Sequence, residues 1–183
     1  MKNQESGLRI EDAEPHWATR YIGLPWENGA QGPDAFDCWA LVRHVQREHY
    51  GLELPIINVD ADDLNAVSDA FENHPEKARW QRIVGQIDGD CVLTHKGNQV
   101  DHVGIYLDID GGRVLHAVRG SGVVCTALPV LKRMGWHPLE FYRFRHCEPH
   151  SGAAIQLSVG LLPAALRSRL KAECARNDGL ESI

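Results

Sequence analysis

Three side chains in this 183-residue chain have the types needed to break an amide or ester bond. They are Cys38, in the run PDAFDCWALVRHV, and His102 and His116, in the runs HVGIYLD and RVLHAV. A thiolate can attack a carbonyl carbon while an imidazole takes up the thiol proton and returns it to the leaving group. A second polar group then holds that imidazole in place. Cys38 stands where a helix should begin, and the partial positive charge of a helix N-terminus favours thiolate over thiol. His44 is the nearest base in sequence, six positions on. At about 100° per residue it lies roughly 120° away around the helix axis. His44 and His49 therefore read as surface residues, and the base must come from elsewhere.

His102 opens its strand directly after the loop KGNQVD, where a side chain at a sheet edge can reach a cleft. A hairpin centred on Ile109 makes His102 and His116 cross-strand partners on one face. A turn centred on Asp110 and Gly111 sets His116 opposite Ile105 instead, pointing the other way unless a bulge intervenes. Both registers stay open. Taken singly, a cysteine at a helix start is most often a buried structural residue, and a strand histidine a satisfied one. His95, His102, His116, Cys91 and Cys125 all fall in the expected sheet, yet none has the close paired spacing of zinc ligands. No metal or other cofactor is expected.

The elements that must position these residues follow from periodicity. Apolar Leu41, Val42 and Val45 fit a helix from about Asp37 to Tyr50, with Gly51 as its stop. DADDLNAVSDAFEN, 60–73, reads as a second helix with acidic residues in its first turn. The period then changes to two. CVLTH, HVGIYLD, RVLHAV, GVVCTAL and LEFYRF, punctuated by KGN, DGG and RGSG, read as an antiparallel meander of about five strands, with a short helix around 128–134. Helices first and sheet second is the order of an α+β domain with its helices packed on an antiparallel sheet.

Composition sets the outer bounds. With 43% hydrophobic residues the chain suits one domain with a substantial core. Residues 1–15 read as a mobile arm, 16–148 as the domain, and 149–183 as an extension with a helix at 162–176. No run is long and apolar enough to span a membrane, and MKNQESGLRIEDAEP is polar and acidic, unlike a signal peptide. The expectation is a chain made in the cytoplasm. A net charge of -6 speaks against nucleic acid or anionic membrane as partner. Five scattered cysteines form no disulfide framework, and Cys91 and Cys125 read as buried structural residues.

FDCWALV, then GD at 89–90, HVGIYLD and VLHA at 114–117 together resemble the NlpC-type cysteine peptidases, over roughly residues 16–145. These are papain-like enzymes with a rearranged order of strands and helices that cut amide bonds in peptidoglycan stem peptides. The stretch GLPWENGAQGPDAFDCWALVRHVQREHYGLELP is similar to versions in phage and prophage tails. The resemblance implies Cys38 as nucleophile, His102 as base, His116 as the residue orienting it, and the Cys38 backbone N–H as an oxyanion donor. It also implies that Asp37 fixes the turn into the helix. Trp39 and Ala40 stand where many members have Ser-Gly, which makes Trp39 a candidate substrate contact. Trp26 stands where many have Tyr, which implies a support for the oxyanion site that lacks the hydroxyl.

The resulting expectation is a cysteine endopeptidase acting on a stem peptide, at the bond from D-glutamate to the diamino acid, as part of a phage or prophage tail and acting at the host wall. Two alternatives stand beside it. One is a tail-assembly protein that keeps the fold without catalysis and docks other tail proteins through Leu166 and Leu170 of its last helix. The other is a related thiol amidase or acyltransferase.

Overall fold

The computed structural model describes residues 15–145. The arm apart from Pro15, the extension at 149–183 with its expected helix, Cys147 and Cys174 lie outside the described residues.

Helix α1 spans Cys38–Tyr50. It starts where it does because the Asp37 carboxylate accepts the Ala40 N–H at 2.6 Å, satisfying one of the free donors of the first turn. It stops at Gly51, whose left-handed backbone at φ 69° returns its N–H to the Arg47 and Gln46 carbonyls. Ala40, Leu41, Val42 and Val45 bury one face completely. Helix α2 spans Leu64–Asn73, beginning later than the expected residue 60. The acidic residues precede it instead of occupying its first turn. Asp63 caps the N–H groups of Asn65 and Ala66, while Asp60 accepts from Asn28 at 2.6 Å.

Six strands follow, all paired antiparallel: β1 Trp80–Ile83, β2 Cys91–Lys96, β3 Gln99–Leu107, β4 Arg113–Val118, β5 Gly122–Ala127 and β6 Leu139–Phe144, in the order β1-β6-β2-β3-β4-β5. The expected α+β architecture is present, with one strand more than the five foreseen. The extra strand is β1, a four-residue run with exposed Gln81 and Arg82 at its centre, which acquires its conformation by pairing with β6. Helix α3, Leu128–Arg133, lies between β5 and β6 in the chain.

The central strands are buried on both faces. Cys91, Leu93, Val103, Ile105, Leu107, Leu115 and Ala117 meet Leu41, Val42 and Val45 of α1. On the other face Val92, Tyr106 and Val114 meet Leu131 of α3 and Trp136. The Gly89-Asp90 pair fastens these layers. A Cβ on Gly89 would lie 2.5 Å from the Tyr50 ring, so only glycine admits the end of α1 there. Asp90, 3% exposed, accepts from Arg143 of β6 through both oxygens at 2.9 Å and from the Ile87 N–H at 2.7 Å.

The β3 to β4 hairpin settles the open register. Ile105 pairs with Leu115, Tyr106 with Val114 and Leu107 with Arg113, a hairpin centred on Asp110, whose φ of 47° turns the chain. This register lies between the two considered. It brings Gly104 level with His116 and leaves His102 one pair further along on the same face.

Candidate functional site

The absent side chain of Gly104 is what lets the two imidazoles meet. A Cβ there would stand 2.9 Å from His116 Cβ and 2.5 Å from Val114 Cγ1. Across that space His102 Nε2 lies 2.9 Å from His116 Nδ1, and His116 Nε2 lies 2.9 Å from Thr126 Oγ1 of β5. Trp136 stacks on His102 at 5.2 Å and 16°, and meets His116 edge-on at 5.3 Å. His102 is thus buried within β3, not at a strand opening on the sheet edge as expected.

The chain of bonds restricts the tautomers. If His116 donates from Nε2 to Thr126, its Nδ1 accepts from His102 Nε2–H, and His102 Nδ1 carries the free lone pair of a base. In the reverse arrangement His102 Nδ1 is protonated and cannot act as a base. The half-exposed Thr126 hydroxyl can accept from His116 while donating to solvent, which is compatible with the first arrangement.

Cys38 sits at the first position of α1, partly exposed. Backbone N–H groups of Val103, Trp39 and Cys38 itself point toward its sulfur. Val103 adjoins His102 and lies beyond the short β3 to β4 ladder, which covers only Ile105–Leu107 of β3. The thiol therefore approaches β3 from the α1 side, while the His102 ring lies on the Trp136 side. Among the described residues no hydrogen bond joins the thiol to either imidazole.

The electrostatics correct one expectation. Burial pushes the Cys38 thiol up to about 12, and the Asp37 carboxylate adds to the rise, against the pull of the three N–H groups. Burial also holds His102 well below the usual histidine range, with His116 and Lys96 adding to the fall. His116 is brought down to about 4 by burial. Burial at the site thus opposes the thiolate that the helix N-terminus favours.

The other candidate residues divide. Asp37 is the cap expected of it, its own carboxyl raised by burial. Trp39 anchors a strap, residues 54–63, by donating from Nε1 to the Pro55 carbonyl at 3.1 Å. Trp26 packs beneath the Arg119 guanidinium, 4.6 Å from its ring centroid, and Arg119 pairs with Asp62 of the strap. Trp26 thus holds the strap's surroundings. His44 and His49 are half-buried rather than surface residues: His49 stacks on Trp17 at 3.8 Å and His44 meets Phe36 edge-on. Cys91 is buried as expected, whereas Cys125 is only half-buried. Among the described residues no three His, Cys, Asp or Glu side chains gather in a metal-binding group, and no helix is long and apolar enough to cross a membrane.

Thr126, Trp136 and Gly104 belong to the site beyond the residues expected from the sequence. Trp136 carries no local signal, because its role depends on α3 turning the chain back over β3. Gly104 lies inside HVGIYLD, and a glycine within a strand does signal a close approach.

The NlpC/P60 family model matches residues 23–137. The chain is 26% identical over 128 residues to the Escherichia coli (strain K12) protein "Murein DD-endopeptidase MepS/Murein LD-carboxypeptidase", covering 70% of this chain and 58% of that protein. It therefore spans less than two thirds of that relative's length. Similar solved structures include the NlpC/p60 domain of peptidoglycan hydrolase SagA (21% identity, 68% of this chain and 91% of that one, TM-score 0.45). NlpC2 from Trichomonas vaginalis is another (21% identity, 69% and 44%, TM-score 0.49).

Proposed function

From a chain that belongs to the NlpC/P60 family, we propose a cysteine peptidase that hydrolyses an amide bond of peptidoglycan stem peptides, with Cys38 as nucleophile, His102 as base and His116 as its orienting partner. The observation that carries this reading is the chain from His102 through His116 to Thr126, together with a thiol at the start of α1 that faces the backbone N–H of Val103, the residue next to His102. The reaction requires the His102 ring to come within reach of the Cys38 sulfur, past the short ladder that ends at Ile105. The hydrogen bond that joins them forms when substrate is bound, as catalytic hydrogen bonds often tighten only then. His102 Nδ1 takes the Cys38 proton as Sγ bonds to the scissile carbonyl carbon. The oxyanion is met by the Cys38 backbone N–H and the helix N-terminus. The C–N bond then breaks as His102 returns the proton to the amine. Water, deprotonated by the same nitrogen, releases the acyl group and restores the thiol.

The name of the Escherichia coli relative supports a murein substrate. The bond from D-glutamate to the diamino acid, and a place in a phage or prophage tail at the host wall, rest on the resemblance of the segment around Cys38 alone. Lysis of purified cell walls tests the reading. Cys38→Ala and His102→Ala should each abolish it with the fold intact by circular dichroism, and lysis at the wild-type rate by either would overturn the assignment.

A second reading, a non-catalytic assembly protein that keeps the fold, is favoured by the His102 ring stacking on Trp136 with no hydrogen bond to Cys38 among the described residues. In that case the wild type leaves walls intact under all conditions.

A further inference from the structure

Cys38 forms part of the wall of a cavity of about 100 Å³ that the reaction outlined above does not use. Its inner wall is Leu93 and Val103 of the sheet, its roof Val67, Ala70 and Phe71 of α2, and its outer wall the strap through Ile57 and Val59. The strap is held down at several points: Trp39 to the Pro55 carbonyl, Arg43 to the Leu54 carbonyl at 3.1 Å, Asn28 to Asp60, and Arg119 to Asp62. The space is thus bordered by fastened elements and partly open to solvent, and its lining is mostly apolar, with Asp37, His74, Glu76 and Lys77 also on it.

We propose that this cavity is an acyl pocket, which receives a short aliphatic group attached to the carbonyl that Cys38 attacks. The proposal rests on Cys38 being the nucleophile. Cys38 lines this pocket, so a group seated there lies next to the carbonyl under attack, and we take it as the acyl side, which the new S–C bond then holds to the sulfur. The mostly apolar lining favours an apolar occupant over a charged one, which would lose its hydration on entry. A cavity of about 150 Å³ accepts a benzene ring; by proportion, 100 Å³ accepts a group of roughly four carbons. The two side-chain methylenes of a D-glutamyl donor would fill part of it, with the carboxylate left outside.

The pocket implies a further activity, hydrolysis of short aliphatic acyl esters. Cys38 Sγ bonds to the carbonyl carbon as the C–O bond breaks, and the thiol proton passes through His102 to the departing oxygen. Water then adds to the thioester, the C–S bond breaks, and the carboxylic acid leaves as the sulfur regains its proton.

The test is kcat/KM of the full chain for p-nitrophenyl acetate, butanoate, hexanoate and decanoate. It is run for the wild type, Cys38→Ala, Ala70→Leu and Ala61→Leu, whose side chains would fill the cavity from the helix and from the strap. Each methylene buried should raise kcat/KM about fourfold. The wild type should therefore peak at butanoate or hexanoate and fall at decanoate. Ala70→Leu or Ala61→Leu should lower hexanoate hydrolysis at least tenfold while leaving acetate within about threefold, with alkylation of Cys38 by iodoacetamide unchanged. A flat profile, a rise continuing to decanoate, or equal loss of acetate and hexanoate in both filled variants would overturn the pocket while wall lysis stands. Ester hydrolysis retained by Cys38→Ala would overturn the nucleophile itself.

Discussion

Acid should unfold this protein through the very imidazoles that form its site, and His116 allows the size to be worked out. In the folded chain His116 is 1% exposed and its proton affinity falls from an ordinary 6.5 to about 4. The unfolded chain therefore binds a proton between those values that the folded chain refuses. Stability is complete above about pH 6.5 and is lost as pH falls toward 4. At about 1.4 kcal/mol per tenfold difference in proton affinity, the loss from His116 between pH 7.5 and 4.5 is about 2.5 kcal/mol. That is a large share of a typical domain's stability. His102, lowered by burial, packs against His116 and titrates in the same window, and so does the nearby Asp101, whose carboxyl burial raises. His44 and His49, also lowered by burial, lie on another element. Urea unfolding at pH 7.5 and 4.5, in the wild type and in His116→Gln, isolates the contribution of His116. The variant starts less stable because it loses hydrogen bonds, but its loss on acidification should be smaller by about 2 kcal/mol. Equal losses in the two proteins, within about 0.5 kcal/mol, would refute the claim that His116 is held neutral by burial.

Two further predictions test the geometry around the imidazoles. Thr126→Val removes the acceptor that keeps the His116 proton on Nε2 and leaves a polar nitrogen without its partner, a change of about 1 to 2 kcal/mol. Wall hydrolysis should fall roughly five- to thirtyfold in kcat with KM little changed, and Thr126→Ser should recover most of it. Equal loss in both variants would mark Thr126 as structural only. Gly104→Ala forces a Cβ to within 2.9 Å of His116 Cβ and 2.5 Å of Val114 Cγ1, and overpacking of this kind costs about 1 to 3 kcal/mol. Urea unfolding should show that loss, and unchanged stability would contradict the close approach.

Much of this architecture was legible in the sequence because the signals are local. Asp37 before Cys38 and Gly51 after Tyr50 bracket α1, and the period-two runs give five of the six strands. Strand β1 was not legible, because WQRI has too few apolar positions to show alternation and takes its conformation from β6 across the chain. The cysteine and two histidines could be named from the sequence, but not their arrangement. The register turned on Asp110 adopting a left-handed φ, one residue's choice that decides which side chain faces His116. The electrostatics of the thiol are illegible for a related reason. A helix N-terminus is visible in sequence, whereas the burial that opposes it at Cys38 arises only when α1 packs against β3.

The central claim is that Cys38 cuts stem peptides through an acyl-enzyme supported by His102. Mass spectrometry of muropeptides released from purified walls tests it most directly. The wild type should release fragments cut at a single stem-peptide amide, and Cys38→Ala should release none. Identical fragments from both proteins, or none from the wild type, would contradict the account.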